Sequence, residues 1–439
     1  MSVNVQKQQA KGIKDSFAAF RATVSRTLDE TMIGSRPLRW FLSGWRLGLI
    51  WLAIAIIFPF VENDQAIQTS AVSVGIYVML ALGLNIVVGF AGLLDLGYVA
   101  FYVIGSYTIA VFTSGQILGS DGQPHSVHTF PVWELIPVAA ILAGLFGVLL
   151  GAPTLRLRGD YLAIVTLGFG EIVPDVFKNI PFFFRQDGMN AIPPANIGSI
   201  SFTDPFNQKP WYFVVLVLIV IIVIAIVSLR DSSLGRAWVA IREDETAAAA
   251  SGVNLVRTKL LAFGLGAVTG GIGGAINAAY ITSINPSDFS FNVSITVLIM
   301  IVLGGIGSVA GVILGAILLR FFDVYLLGKL NDLVSTNSIF SSTSSPLHFL
   351  DRDLNVAKFS IYGLVLVLMV LLRPQGLIPN RRRQRELRGI GAAPEGTSAV
   401  GLFEKEEAEA IGALDTNQIV EGTTYEGPGS DARGREGDQ

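Results

Sequence analysis

The chain has 439 residues, of which 51% are hydrophobic and only 15% charged, and its formal net charge is −3. Soluble domains carry about 25% charged residues, whereas runs such as 214–227 here contain no ionisable side chain. This composition excludes a soluble globular protein and predicts an all-α, polytopic helical membrane protein; the absence of cysteine also excludes disulfides and thiolate metal sites.

The first 44 residues are predicted to form a basic amphipathic segment at the cytoplasmic face of the membrane. They contain seven Lys and Arg residues. Apolar side chains at helical spacing within them are typical of a helix that lies on a membrane surface. These side chains are Phe17, Phe20, Val24 and Leu28.

Residues 45–380 are predicted to form the membrane domain. Several apolar segments in it reach or approach the roughly 20 residues needed to cross a bilayer, and we predict about ten spans, some of them broken helices. The segments are 45–61, 67–88, 97–115, 131–151, 160–177, 210–229, 259–281, 291–305, 306–327 and 359–372.

The distribution of positive charge predicts that both termini are cytoplasmic. With ten spans, Lys and Arg concentrate on one side, as the positive-inside rule expects. A single long span over 293–327 would place Arg381–Arg383 outside, so we predict two spans that separate at Gly304–Ser308. Three of the opposite loops contain no Lys or Arg at all: 62–66, 116–130 and 282–290.

Residues 381–439 are predicted to begin with a basic stop and to continue as an acidic, disordered tail. From Gly391 onward the chain carries 11 acidic and 3 basic residues, a net charge of −8 against +5 for the rest. A segment with so little apolar surface does not fold alone.

Glycine interrupts two of the apolar segments, at Gly89–Gly97 and at Gly304–Gly311. Broken helices at membrane depth face protein or a water-filled cavity, and paired breaks often mark the substrate route of a transporter. Close helix packing is the alternative explanation. Asp95 favours a function for the first break, because a carboxylate inside an apolar region is costly. Two glycine ladders predict packing faces: Gly266, Gly270 and Gly274, and Gly307, Gly311 and Gly315.

Glu171 is predicted to lie about 16 Å into the fifth apolar helix. It follows Asp160, which fits an N-cap, by eleven residues. A carboxylate at that depth indicates either a functional site or an ion pair with a neighbouring helix.

A charged, helix-prone stretch, Ser233–Gly252, lies between two strongly apolar runs; we call it the charged segment. It is predicted to project from the membrane as one helix, with its acidic residues suited to the helix dipole and Gly252 as its C-terminal cap. Such a helix is typical of the point at which a partner outside the membrane moves the spans of a transporter.

No catalytic or metal site is predicted, and we do not expect an enzyme. His125 and His128, with Asp121 nearby, offer too few donors for a metal ion, and the P-loop pattern is absent. If ATP drives this protein, ATP and Mg²⁺ bind to a different chain, so no cofactor is expected here. Membrane lipid is an expected partner, and nucleic acid is not.

Four blocks resemble, in the same order and over about 45–380, the LivM-type permease of branched-chain amino-acid ABC importers. They are Leu84–Tyr98, Leu155–Glu171, Gly235–Glu245 and Arg373–Gly376. The resemblance implies a multi-pass protein of the bacterial inner membrane. It also implies four partners: a second permease subunit, two ATP-binding subunits and a periplasmic substrate-binding protein.

Within that family the charged segment is similar to the loop that docks on the ATPase. Counting back from Gly252, the usual glutamate position holds Thr246, and Glu245 comes one residue early. Which carboxylate meets the ATPase is therefore open. The residues assigned to coupling by this resemblance are Gly235, Arg236, Trp238, Arg242, Glu243, Asp244, Glu245 and Gly252.

The substrate pathway is expected around the first break. Family members often carry a Thr-Gly-Gly-Pro-Asn-Gly stretch after the fifth span, and in this chain Gln186–Ile192 retains Asn190 but fewer glycines and no proline. The transported substrate could therefore differ from the typical one. The pathway candidates are Asn85, Gly89, Gly92, Asp95, Gly97, Tyr98, Glu171 and Asn190.

The predicted function is that of a permease subunit for branched-chain or related hydrophobic amino acids, working by alternating access driven by separate ATPase subunits. Two alternatives stay open. One is a permease for urea or short-chain amides, a group that shares these blocks. The other is an ion-coupled secondary transporter that uses Asp95 and Glu171 as ion or proton sites.

Overall fold

A computed structural model describes most of residues 45–378 and little outside that range. The predicted helix around 17–28, the His125/His128 pair and the predicted tail lie outside the described residues. Those residues are 32–33, 36–37, 45–62, 64–114, 130–154, 160–180, 187–190, 192–193, 195–197, 200–202, 208–326, 362–369, 371–373 and 376–378.

The described residues are mostly α-helical, which confirms the predicted fold class. All ten predicted apolar segments coincide with helix, the last of them with helical residues at 362–369 and 371–372. The other helices are α1 Trp45–Val61, α2 Gln65–Leu84, α3 Val99–Thr113, α4 Val132–Thr154, α5 Asp160–Asn179, α6 Lys209–Asp231, α7 Ser233–Glu243, α8 Glu245–Ala250, α9 Leu255–Ile281, α10 Phe291–Gly304 and α11 Val309–Phe321.

Within the part of the chain that the structure describes, two short antiparallel hairpins accompany the helices. Strands β1 (Met32–Ile33) and β2 (Arg36–Pro37) pair with each other, and so do β3 (Asn196–Ile197) and β4 (Ile200–Ser201). The described part of the first 44 residues is thus a hairpin rather than helix. Strands of two residues add no sheet layer to the bundle.

Five stretches among the described residues are long and apolar enough to cross a membrane. Two shorter apolar helices, Gly48–Val61 and Val99–Thr113, accompany them. The chain is a multi-pass membrane protein by this criterion, while the number of ten spans stays a prediction. The five stretches are Gln65–Phe90, Val132–Thr154, Lys209–Asp231, Leu255–Ile281 and Pro286–Gly304.

Helix α9 is the central element of the bundle, and glycine lets its neighbours approach it closely. A Cβ at Gly274 would overlap the carbonyl oxygen of Tyr102 on α3, and one at Gly271 would lie 2.5 Å from Ala143 Cβ on α4. One at Gly266 would lie 2.6 Å from Val87. The predicted packing role of the first ladder is confirmed, because only small residues permit such backbone contacts.

The region 293–327 is two helices, as predicted, rather than one long span. Helix α10 ends at Gly304, and α11 begins at Val309 after a turn. The two helices touch at glycine, since a Cβ at Gly311 would overlap the Gly304 carbonyl and one at Gly315 would overlap that of Met300. The second ladder is therefore also a packing face.

The bundle has two ends, which we name by the charged segment. Helix α9 starts at the charged-segment end with Leu255, directly after α8. The Tyr212 hydroxyl, near the start of α6, donates to the carbonyl of Ala55 in the second half of α1 at 2.8 Å, so α1 begins at the charged-segment end. Residues 376–378 lie there too. Leu377 N–H donates to the Leu303 carbonyl at 2.9 Å at the end of α10, and the turn that follows α10 contacts Arg242 of the charged segment at Gly307.

Candidate functional site: the charged segment and the two helix breaks

The charged segment is two helices, which corrects the single helix predicted over 233–252. Helix α7 ends at Glu243, and α8 begins at Glu245. Asp244 between them is extended (φ −155°, ψ 115°), and its carboxylate accepts hydrogen bonds from the N–H groups of Thr246 and Ala247 at 2.7 and 3.0 Å. A side chain that satisfies the first free N–H groups starts a new helix.

The end of α8 follows the predicted glycine cap. Gly252 has φ +84°. Its N–H donates to the Ala249 carbonyl at 3.0 Å, and Val253 N–H donates to that of Ala248 at 3.1 Å. This pair of bonds is the Schellman arrangement that closes a helix at a left-handed residue.

Asp244 is held in its charged form by its capping bonds. The N–H groups of Ala247 and Thr246 lower the pKa of the Asp244 carboxyl below its ordinary value. A pKa lowered in the folded protein stabilises the fold above the ordinary pKa, and the effect is lost as the pH falls through the lowered value. The cap therefore persists at neutral pH.

Several residues assigned to coupling face into the protein. Trp238 is fully buried, and its indole N–H donates to the Thr258 carbonyl on α9 at 2.7 Å. Glu245 accepts a bond of 2.5 Å from Lys259, whose side chain is only 5% exposed. A buried ammonium that has one carboxylate partner holds that partner in place, so Glu245 anchors α8 to α9.

Fewer of the residues assigned to coupling are exposed than the sequence predicted. Gly235 is buried, and a Cβ there would overlap the Arg230 carbonyl. The coupling candidates that remain exposed are Arg236, Glu243, Asp244 and Gly252. With Glu245 engaged and Asp244 occupied as a cap, Glu243 is the exposed carboxylate of this set that makes no capping bond.

The first predicted break exists and begins with a π-helical turn. Helix α2 continues into that turn at Asn85–Phe90, and no helix forms again until Val99. Gly92 has φ +71°, a conformation that side chains with a Cβ rarely adopt. The backbone of this break makes polar contacts with two other helices: Leu96 N–H donates to Thr166 Oγ1 at 3.1 Å, and Val99 N–H to Ser294 Oγ at 3.0 Å.

The two breaks contact each other. Gly307, which has φ +80°, donates its N–H to Asn85 Oδ1 at 2.9 Å. A Cβ at Gly89 would lie 2.8 Å from the Gly307 nitrogen, so the two backbones touch. Glycine is needed on both sides of this contact, and the pairing of interruptions predicted from the sequence is thus a physical junction.

Arg242 connects the charged segment to this junction. It is half-buried, and its Nη1 donates to the Gly89 carbonyl at 2.6 Å. Its side-chain carbons lie over Gly92, where a Cβ would come within 2.6 Å of Cγ. A Cβ at Gly307 would lie 3.4 Å from Nη1. Arg242 therefore contacts both breaks from the charged segment.

Two buried polar groups at the first break keep atoms without a hydrogen-bond partner among the described residues. Asp95 is 2% exposed; its Oδ1 accepts from Gly97 N–H at 2.9 Å, whereas Oδ2 has no partner. Asn85 is fully buried, and its Nδ2 has none. Asp95 does not cap α3, since Tyr98 occupies that cap position without a side-chain bond.

Tyr98 locates the break at the middle of the bundle. Its hydroxyl donates to the Gly266 carbonyl at 3.0 Å and lies 3.1 Å from Thr269 Oγ1. Gly266 and Thr269 are in the centre of the 27-residue helix α9. Gly97 is buried against α5, where a Cβ would overlap the Thr166 carbonyl.

The remaining pathway candidates lie apart from the breaks. Glu171 is exposed on α5, although the residue before it, Gly170, touches Gly97. Asn190 is also exposed and follows Met189, whose N–H donates to the Ile284 carbonyl at 2.9 Å. Ile284 lies beyond the far end of α9, about 40 Å along that helix from the charged segment.

Comparison with known proteins decides the family. Residues 66–341 match the family described as the permease component of the branched-chain amino acid transport system. The chain belongs to this family.

Individual relatives agree with this membership. The chain is 37% identical over 365 residues to the high-affinity branched-chain amino acid transport system permease protein LivM of Escherichia coli, covering 78% of this chain and 77% of LivM. It is 26% identical to BraD of Pseudomonas aeruginosa, covering 69% of this chain and 91% of BraD. It is also 24% identical to LivH of Escherichia coli, a permease of the same named system, covering 59% and 85%. No solved structure gives a significant match.

One ionic cluster of this permease was missed in the sequence. Arg320 near the end of α11 pairs with Asp323, donates from Nη2 to Ser73 Oγ at 3.1 Å, and lies 4.1 Å from the ring centroid of Tyr77. Asp323 belongs to a π-helical turn, Phe322–Leu326. An arginine three residues before an aspartate is the signal that could have indicated it.

Proposed function

We propose that this chain is a permease subunit of an ATP-driven importer of branched-chain amino acids in a bacterial inner membrane. The observation that carries the proposal is the link from the charged segment through Arg242 to Gly89, where the two helix breaks meet. An ATP-driven permease needs one region that the ATP-binding subunits move and another region that opens the substrate path. In this chain the Arg242 side chain joins two regions that suit these roles.

The charged segment would receive the motion from an ATP-binding subunit. Its exposed Arg236 and Glu243 offer opposite charges to a docking partner, and Glu243 is the carboxylate that we assign to that contact. Trp238 and the Glu245–Lys259 pair attach the segment to the start of α9. A displacement of α7 would thus be transmitted to α9 directly through these side-chain contacts.

The transmembrane path would open at the junction of the breaks. Arg242 bonds to Gly89, and Asn85 bonds to Gly307, so displacement of α7 shifts both breaks together. Asp95 Oδ2 and Asn85 Nδ2 have unfilled hydrogen-bonding capacity in this region. A carboxylate oxygen suits the ammonium group of an amino acid, and an amide N–H suits its carboxylate.

The charged-segment end of the bundle would face the cytoplasm. The start of α1 and residues 376–378 lie at that end, and the basic residues Arg381–Arg383 follow in the sequence. Positive charge on that side agrees with the positive-inside rule. The partners are then two cytoplasmic ATP-binding subunits, a second permease and a periplasmic substrate-binding protein, with ATP and Mg²⁺ on the ATP-binding subunits.

Transport by the complete importer in proteoliposomes tests the proposal. Labelled leucine should accumulate only when ATP and both ATP-binding subunits are present, and labelled urea should not. Accumulation of urea in place of leucine would indicate an amide importer. Uptake that follows an ion gradient without the ATP-binding subunits would indicate a secondary transporter, with Asp95 as the first residue to examine.

A further inference from the structure

Helix α5 has two different faces. Its inner face contacts the first break through Thr166 and Gly170. The outer face carries residues spaced three and four apart, which therefore share one side of the helix. We call it the acidic face of α5, and it consists of Ile164, Gly168, Glu171, Ile172 and Asp175.

The acidic face is open in this chain. Ile164 and Ile172 are 64% and 56% exposed, and Glu171 and Asp175 are exposed as well. A Cβ added at Gly168 would meet nothing within 4 Å. Among the described residues, no hydrogen bond or ion pair involves the carboxylate of Glu171.

Glu171 lies at the middle depth of the bundle. Its neighbour Gly170 lies against Gly97, and the adjoining Tyr98 bonds to Gly266 at the centre of α9. Glu171 is also more than two helical turns from both Asp160 and Asn179, the ends of α5. A carboxylate at this depth cannot face lipid tails without a large cost.

Other outer faces of the bundle suit lipid. Helix α4 exposes Ile141, Leu145 and Leu149, and α6 exposes Ile221 and Ile224, all without charge. Helix α5 differs because it exposes a carboxylate, that of Glu171, near the middle of its length, and it is not among the helices apolar enough to cross a membrane alone. Something polar must therefore cover it.

We propose that the acidic face of α5 is the surface on which the second permease subunit docks, with a hydroxyl, amide or basic side chain of that subunit donating to Glu171. This rests on the proposed function. The E. coli relatives LivM and LivH are two permeases of one named system, and both are similar to this chain. Because Gly168 has no side chain and no neighbour at its Cβ position, a helix of the second permease can approach α5 closely there.

Site-specific photo-crosslinking in the complete importer tests this surface. A photoreactive amino acid replaces Ile172 on α5 or, as the matched control, Ile221 on α6, which is exposed to 55% against 56%. Illumination should attach the second permease to position 172 and not to position 221. Capture from 221 alone, capture of a second copy of this chain, or capture from neither position in an assembled complex would overturn the proposal.

A pair of substitutions gives a second measurement. Glu171→Leu should lower co-purification of the second permease at least about tenfold, because it leaves the partner's donor buried without an acceptor. Glu171→Gln should retain much of the binding. If α5 faced lipid, Glu171→Leu would bind normally and be more stable. Neither the crosslinking nor the co-purification depends on the substrate, so an importer of urea would give the same results in both. Failure of this docking proposal is therefore distinguishable from failure of the proposed function.

Discussion

Arg242 and Arg236 lie on the same short helix and differ in what they contact. The guanidinium of Arg242 reaches the Gly89 carbonyl, 153 residues away in sequence, at 2.6 Å. Arg236 is exposed, and its Nη1 donates only locally, to the Asp231 carbonyl at 3.0 Å. Two arginines that look equivalent in a charged stretch therefore have different expected roles, one in transmission and one in docking.

Arg242→Ala should uncouple ATP hydrolysis from transport. The substitution removes a charged hydrogen bond to the first break, a contact of about 1.5–3 kcal/mol, so leucine uptake should fall at least about tenfold while the ATP-binding subunits still associate and hydrolyse ATP. Arg236→Ala should instead weaken association of those subunits. Normal transport by assembled Arg242→Ala complexes would contradict the role of Arg242.

Asp95→Asn tests the buried carboxylate at the first break. Asparagine keeps the size and the acceptor for Gly97 N–H but removes the charge of the unpartnered oxygen. Leucine uptake at subsaturating concentration should fall at least about tenfold, which corresponds to about 1.4 kcal/mol on the limiting barrier. Association with the ATP-binding subunits should not change. Uptake near that of the unmodified chain would assign Asp95 to local structure alone.

At the scale of elements, glycine decides which helices meet. Helix α9 touches α3 and α4 through backbone, because its glycines leave no side chain between the axes. A similar backbone contact between glycines joins α10 to α11 at Gly304 and Gly311. Without a hydrophobic driving force between helices in lipid, such close van der Waals contact is a main source of association.

Gly274→Ala should therefore loosen the contact between α3 and α9. The added Cβ would overlap the Tyr102 carbonyl and lie 2.9 Å from Ser106 N, both backbone atoms that cannot rotate away. Overpacking of this kind costs about 1–3 kcal/mol. The matched control is Gly363→Ala, at a glycine with nothing within 4 Å of its Cβ position. Thermal unfolding in detergent should fall for the first variant only.

At the scale of the whole molecule, the helices alternate between two ends. The start of α1, the charged segment and residues 376–378 share one end. The start of α6 meets α1 at the opposite end, where Lys209 lies 5.8 Å from the Phe60 ring centroid. An even number of crossings between 45 and 378 agrees with this arrangement.

Labelling of single cysteines measures the orientation directly, since the chain contains no cysteine of its own. An impermeant maleimide applied to intact cells from the periplasmic side should modify Ser120→Cys in the 116–130 loop. It should modify Arg236→Cys only after the inner membrane is opened. The reverse pattern would invert the orientation and remove the charged segment from the cytoplasm.

Truncation at Gly391 tests whether the acidic tail takes part in transport. Residues from there onward carry a net charge of −8 and few apolar side chains, so we expect no folded core from them. Leucine uptake should stay within a few-fold of the full chain. A complete loss of uptake at normal expression would show that the tail docks on another subunit.

The sequence by itself determined the class of protein and the positions of its helices. Hydrophobicity is a local property, so ten apolar segments could be assigned one by one, and each coincides with helix. The two glycine breaks and the cap at Gly252 could also be predicted from local sequence, because glycine favours particular backbone conformations wherever it occurs. The division at Asp244 was missed, although an aspartate two residues before Thr246 is a capping signal.

Only the tertiary structure decided which of these residues act together. Gly307 bonds to Asn85 across 222 residues of sequence, and Arg242 bonds to Gly89 across 153. No periodicity or composition encodes such contacts, because they depend on how several helices pack at once. The same packing left Glu171 on an outer face and turned Arg242 inward, since the free energy of burying a charge depends on neighbours that a linear sequence does not reveal.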